Sequence, residues 1–490
     1  PRGRAVAVST LPYHDSGAHA VQELAFAIAT GVHYLRVLER DGIGPADAAR
    51  QLEFTVAIGR DLFTELSKLR ALRRLWGMAL RGCGETDPPP AWIHAVSSSR
   101  TLTVRDPWVN LLRVTTQTFA AMVGGADVLT PATYDQAAGL PDALGRRIAR
   151  NTPLILAEES HLGRVVDPAG GAWYLERRTD ELARAAWSLF QEIEREGGMA
   201  ESLLSGRIRA RIDQTWEAHW KELTRRREPI LGVSEFPNPG EVKPLRRDLL
   251  EAVRAEALER FRAPSRLADS AERNRRDEKR GINGGTRATA GGTSNSARPA
   301  LRDVIVAARA GAALHELTEM CASGGAPARL DPFPLRRESA PFEALRDATD
   351  LHAAAGNRPR VYLANLGPVA EHTPRATFAR GLFQVGGLEV IDDPGTATDD
   401  PEAVDALAAR FLASGAAVAC LCGTDVRYDG VGVAVARALL QQGAKRVLLA
   451  GRPGEIEASL REAGIEGFIF IGCDVYQVIA GLLIDLEVLS

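Results

Sequence analysis

Cysteine, long apolar runs and net charge are all scarce in this 490-residue chain. The five cysteines, at 83, 321, 420, 422 and 473, offer only one close pair, Cys420 and Cys422, in a strand-like run. With no second pair to complete a metal site, and no disulfide spacing, they read as buried reduced thiols in a cytoplasmic setting. No apolar run reaches the ~20 residues that a bilayer span requires, and no signal-peptide pattern opens the sequence. The 60 basic and 63 acidic residues leave a net charge of −3. That balance argues against nucleic acid or a membrane surface as general partners. What is there is ordinary: 45% hydrophobic and 25% charged residues, and length for two or three domains.

The pattern alternates strand and helix from the start. A strand is expected at 5–10, a helix over His19–Leu38, and a second long helix from Pro45 to Leu75 with a core face of Leu52, Val56, Ile58, Leu62 and Leu66. Strands at 91–96 and 127–131 flank a helix over Trp108–Val123. Only three core strands precede Ile148, too few to close a barrel of eight. Because an AVAVST strand comes almost at once after Pro1, the chain reads as a fragment whose earlier part is missing. Residues 148–199 follow, with an apolar segment at Pro153–Ala157, a turn at Asp167–Gly171, and a helix over Thr179–Glu196. Thr179 is its expected N-cap, and Gly197 and Gly198 its stop.

Helical character returns, very polar, over Leu245–Arg262. Residues 264–300 hold almost no large apolar side chain and read as a disordered linker, and another helix is expected over 301–320. Beyond it, strands at Arg360–Leu366, Leu388–Asp392, Ala416–Cys422, Arg446–Ala450 and Gly467–Ile471 alternate with helices near 374–384, 401–413, 430–442, 453–463 and 474–486. Strict alternation predicts a doubly wound, flavodoxin-like domain, with its ligand crevice at the loops Gly367–Thr373 and Gly423–Gly430. Asp425 and Asp429 read as solvated or helix-capping groups, and Trp216 and Trp220 as packing residues.

The motifs IARNT (148–152), EES (158–160), DPAGG (167–171) and GGM (197–199), in this order, closely resemble the end of the barrel domain of methylmalonyl-CoA mutases and related coenzyme-B12-dependent acyl-CoA mutases. The resemblance covers nearly the whole chain apart from the linker. It implies the last strands of a TIM (β/α)8 barrel with trailing helices over 1–262, a linker over 263–300, a connecting segment over 301–357, and a flavodoxin-like cobalamin-binding-like domain over 358–490.

The family's cobalt-ligating loop carries D-x-H-x-x-G. Laid against NLGPVAEHTPRA (365–376), it places Val369 at the Asp, Glu371 at the His and Pro374 at the Gly. His372, one residue on, is the displaced candidate for a cobalt ligand. The remaining loop positions that correspond to the cofactor pocket are Gly367, Gly423, Thr424 and Gly451. Arg452 stands where a glycine pair would leave room for the nucleotide tail. In the barrel the family's catalytic His falls on Pro12, with His14 two residues along and pointing elsewhere, and Arg100 takes the place of a Trp. Scaffold kept and site erased is what the small, non-catalytic subunit of the heterodimeric mutases looks like. The resemblance therefore implies a catalytic large subunit as partner. It also implies adenosylcobalamin held by that partner, and an acyl-CoA substrate of the complex. The competing readings are a catalytic mutase that uses His372, discriminated by cobalamin binding to the isolated chain, and a stand-alone structural binding module.

Overall fold

In the computed structural model, residues 3–241, 330–396 and 400–489 are described. The expected helices over 245–262 and 301–320 and the linker over 264–300 lie outside these residues.

The first sheet has four parallel strands in sequence order: β1 (Val6–Ser9), β2 (Leu52–Ile58), β3 (Ile93–Ser97) and β4 (Val128–Thr130). The long helix expected over Pro45–Leu75 does not exist. It is divided into α3 (Pro45–Gln51), strand β2 and α4 (Leu62–Gly82), with α1 (Leu11–Asp15) and α2 (Ala20–Arg40) preceding them. The reason is the spacing within Leu52–Ile58. Leu52, Phe54, Val56 and Ile58 recur every second residue, and β-branched and aromatic side chains favour a pleated strand. The first helix and the strand are joined directly, whereas Asp61 starts α4 by accepting the Thr64 amide at 3.1 Å. Register sets Val8 beside Phe54, and Phe54 beside Ile93.

α2, α4, α5 (Val109–Val123) and α7 (Trp173–Arg195) bury their apolar faces against one side of this sheet, around Leu24, Ile28, Phe54, Leu72 and Trp76. Trp76 is the largest fully buried side chain. Its ring would lie 2.8 Å from a Cβ on Gly31, so α2 and α4 approach as closely as glycine permits. The other face bears a polar row, in which His94 contacts Glu53 at 3.2 Å and Thr130 at 2.8 Å.

The 153–157 segment is the end of α6 (Ala143–Leu154) running on into a π-helical turn over Ile155–Glu159. α7 starts at Trp173, six residues before the expected cap, and Thr179 is buried inside it. The DPAGG turn finishes by Ala172, and Leu175, Leu182, Ala183 and Ala186 then form one continuous apolar stripe. Gly197 does end the helix, at φ 103°. α8 (Gly198–Leu204) and α9 (Arg207–Thr224) lead away from it.

After α10 (Ala340–Ala354), the second sheet has five parallel strands: β5 (Arg360–Asn365), β6 (Glu389–Asp392), β7 (Val418–Cys422), β8 (Arg446–Ala450) and β9 (Ile465–Ile469), in the order β6-β5-β7-β8-β9. Chain direction across the sheet reverses between β5 and β7, which places a switch point there. Alternate residues of each strand feed two cores. Val361, Leu363, Cys420 and Leu448 meet α11 (Val369–Val385) and α15 (Val475–Asp485) on one side. Tyr362, Ala364, Ala419 and Leu449 meet α12 (Pro401–Ser414), α13 (Val433–Gln441) and α14 (Glu457–Glu462) on the other. β9 lies two residues earlier than expected, because Ile465 pairs with Val447 and the register then slips at Val447/Leu448. Ile471, expected within it, is exposed. The thiols of Cys420, Cys422 and Cys473 are buried and free, whereas Cys83, expected to be buried like them, is exposed.

The sheets are joined through an aromatic cluster. Trp220 of α9 meets Tyr476 at 5.3 Å and Phe342 of α10 at 5.7 Å.

Candidate functional site

Ligands of parallel β/α arrays bind at the carboxyl ends of the strands, and each sheet presents one such edge. At the first, the loops after β1 and β3 and the start of α4 enclose a buried polar network. His14 Nδ1 lies 2.9 Å from Glu23 Oε1, and its Nε2 lies 2.6 Å from Ser98 Oγ. The Lys68 ammonium reaches Glu23 at 3.4 Å, Glu65 at 2.6 Å and the carbonyl of Ala57 at 2.7 Å. Thr10 donates to Glu23 at 3.2 Å.

Burial alone would raise the Glu23 carboxyl, but Lys68, then His14 and Arg100, outweigh it and hold the pKa at about 2. Burial would likewise lower Lys68, and Glu23 and Glu65 instead push it up. The order Ser98, His14, Glu23 has the connectivity of an acyl-transfer triad. Yet Ser98 is 1% exposed, and Glu23 is shared with Lys68 and Thr10. A nucleophile must reach its substrate, and the bonds seen here tie the ends of β1, β2 and β3 together.

Pro12 is exposed on α1, and its carbonyl accepts the Ser16 hydroxyl at 2.7 Å. Arg100 points into the fold, where Nη1 donates to the carbonyls of His14 and Ala18 at 2.8 and 3.0 Å. His14, expected to point elsewhere, instead turns inward onto Glu23 and Ser98, and neither Lys68 nor Ser98 was marked by the sequence as its neighbour. Their partners lie 9, 45 and 84 residues apart, so no local spacing announces them.

At the second sheet, β5 and β7 run out at the switch point beside Gly367 and Gly423. The crevice between them is filled. Arg427 and Glu371 pair at 2.7 Å across it, and a Cβ on Gly367 would lie 2.8 Å from both side chains. Arg375 pairs with Asp425 at 2.6 Å and lies over the Tyr428 ring at 4.9 Å. A Cβ on Gly451 would meet Arg375 at 3.0 Å and Tyr428 at 3.4 Å. Tyr428 bridges two strand ends: its hydroxyl donates to the Ala450 carbonyl at 2.7 Å and accepts the Gly423 amide at 3.0 Å. Burial pushes this phenol's pKa up.

Of the expected pocket positions, Gly367, Glu371 and Gly423 thus meet at Arg427, Gly451 faces Arg375 and Tyr428, and Thr424 precedes the short turn that carries Arg427. His372 lies on their flank, since a Cβ on Gly395 would meet both the Gly367 carbonyl, at 2.9 Å, and the His372 ring. It lies within α11, packed beneath the loop 393–396, and its Nε2 would be 3.0 Å from a Cβ on Gly395. Its two ring nitrogens are buried with no hydrogen-bond partner, and burial lowers its pKa. Arg452 lies over the Phe470 ring at 5.1 Å. Arg375, Arg427 and Tyr428 occupy the crevice instead. None of the three stands out in the sequence, because their partners lie far along the chain. Asp425 is solvated as expected, and from the surface it pairs with Arg375. Among the described residues no cluster of His, Cys, Asp and Glu could hold a metal ion, and no helix is long and apolar enough to cross a membrane.

Two parallel α/β sheets, each with its strand ends closed over by polar side chains, define an α/β protein of the ligand-binding kind whose ligand edges are occupied from within. Its family follows from comparison. Residues 1–325 match the family described as methylmalonyl-CoA mutase, and the chain belongs to that family. It is 43% identical over 484 residues to the methylmalonyl-CoA mutase small subunit of Streptomyces virginiae, covering 99% of this chain and 64% of that protein. It is 33% identical over 487 residues to the small subunit of Propionibacterium freudenreichii subsp. shermanii, covering 99% and 63%. To the methylmalonyl-CoA mutase of Escherichia coli K12 it is 35% identical over 238 residues, 48% of this chain and 33% of that one. The chain thus spans less than two thirds of the length of the curated small subunits it matches.

The family implies a cobalamin cofactor, and the residues at the second sheet's edge do not fit one. The glycine-lined space is taken up by Arg427, Glu371, Arg375 and Tyr428, and the His372 imidazole faces Gly395.

Proposed function

We propose that this chain is the small, non-catalytic subunit of a heterodimeric methylmalonyl-CoA mutase. In this reading the four-stranded sheet is part of a TIM barrel within residues 1–262, and the five-stranded sheet is a flavodoxin-like, cobalamin-binding-like domain over 358–490. A catalytic large subunit is the partner. It holds adenosylcobalamin and the acyl-CoA, and interconverts methylmalonyl-CoA and succinyl-CoA in the cytoplasm. The observation that carries the reading is the filled switch point, where the Arg427–Glu371 pair and Tyr428 stand in the space a nucleotide tail would need. The one-sided cover of the first sheet supports barrel closure by further strands, since parallel sheets are buried on both faces.

The experiment is adenosylcobalamin titration of the chain alone and then with a large-subunit homologue, followed by absorbance and mutase turnover. Expected are no binding alone, and binding with turnover in the mixture that His372→Ala leaves unchanged. Stoichiometric binding by the chain alone, abolished by His372→Ala, would overturn the proposal and make this a catalytic mutase with a displaced cobalt ligand.

A further inference from the structure

The edge formed by the ends of β1, β2 and β3 is crossed by a segment from far along the chain, residues 333–339. Phe333 packs edge-on against Tyr13 at 5.3 Å. The Ser16 hydroxyl donates to the carbonyl of Pro334 at 2.8 Å. The Arg336 amide donates to the carbonyl of Asp15 at 2.7 Å, and the Glu338 amide to that of Arg100 at 3.0 Å. The Ser339 hydroxyl reaches the Leu102 carbonyl at 3.4 Å. Main chain is thus bonded to main chain in the loops that follow both β1 and β3.

At its centre the Glu338 side chain is buried. Its carboxylate lies 3.6 Å from Arg60, just after β2, 3.4 Å from Arg100, after β3, and 3.0 Å from His219 of α9. Glu228 completes the cluster, 2.5 Å from Arg60 and 3.5 Å from His219. Groups from three separate elements therefore converge on one carboxylate of the segment. Burial alone would raise Glu338, but His219, Arg60 and Arg100 hold it at about 2. By contrast, Leu335 on the outer side is exposed.

We propose that residues 333–339 are a built-in plug, latched by Glu338, that shuts the first sheet's ligand edge from within. This goes beyond the loss of catalytic side chains. An edge that lacked only its chemistry would still admit a ligand, whereas a plugged edge stays closed even if the missing side chains were restored. The plug is an intrachain device and does not depend on which partner the chain has.

Hydrogen–deuterium exchange on the full chain tests it. Glu338→Gln keeps the shape and removes the charge, and Arg336→Ala loosens the same segment by removing its bonds to Ser16 and Asp213. Either variant is expected to raise amide exchange about tenfold in residues 11–18, 98–104 and 334–340, with β5–β9 unchanged. Leu335→Ala, on the exposed side, is expected to change nothing. Wild-type exchange in both loosening variants would overturn the proposal. So would a rise spread evenly over both sheets, because Glu338 would then serve general stability and not a local latch. If Glu338→Gln fails to fold, Arg336→Ala alone decides by the same readout.

Discussion

The Cβ that any residue but glycine would place at position 17 lies 2.8 Å from the Cβ of Trp216. Gly17 sits at φ 113°, so a side chain there meets both a strained backbone and an indole it cannot displace. Gly17→Ala is expected to cost about 3 kcal/mol, from backbone strain and overpacking together. Urea unfolding followed by tryptophan fluorescence measures this, and a loss within ~0.5 kcal/mol would mean that α9 moves freely against the loop after β1.

Lys68 is the only ammonium between Glu23 and Glu65. Removing it takes away the cation at buried Glu65 and one partner of buried Glu23, which keeps His14 and Thr10. Lys68→Met should therefore destabilise by about 3–5 kcal/mol, and adding Glu23→Gln should restore part of that loss. A double-mutant cycle in denaturant gives the coupling, and strictly additive costs would show the three groups to be independent.

Acid should unfold the chain through specific carboxylates. Glu23 and Glu338 both titrate at about 2 when folded, against 4.5 without neighbours. Their folded pKa values are depressed, so their stabilisation is complete above about 4.5 and disappears as pH falls towards about 2. Each contributes on the order of 3 kcal/mol. Unfolding midpoints recorded between pH 7 and pH 2 should drop across that window, and the drop should shrink in Glu338→Gln.

Tyr428→Phe removes a hydroxyl that serves the Ala450 carbonyl and the Gly423 amide. Leaving those backbone groups without it should cost about 1–3 kcal/mol, with faster amide exchange at Gly423. Wild-type stability in the variant would mean that water takes over both bonds.

The sequence disclosed the second sheet better than the first, for a physical reason. There, strands of four to six residues alternate with helices, and β8 lies where it was expected, at Arg446–Ala450. In the first sheet, Leu52–Ile58 carries apolar residues compatible with either period, and no glycine or proline separates it from α3. A helical reading therefore ran through it. Site geometry was less accessible still. The mismatches of Val369, Glu371 and Pro374 with the family motif were legible residue by residue. What fills the space was not, since Tyr428 reaches Ala450 across 22 residues and Arg427 reaches Glu371 across 56.

The plug also bears on how the chain is made. Pro334 meets Ser16 across 318 residues, and Arg336 meets the same residue across 320. Loop-closure scaling puts the entropy of joining ends that far apart at about 5 kcal/mol. The loops after β1, β2 and β3 leave the ribosome long before residue 333 is synthesised, so a nascent first sheet waits with that edge uncovered until the segment emerges. Domains fold in order of synthesis, and this one can be completed only by sequence from beyond its own strands. A truncation before residue 333 would thus release a sheet with an open polar edge, a natural client for chaperones.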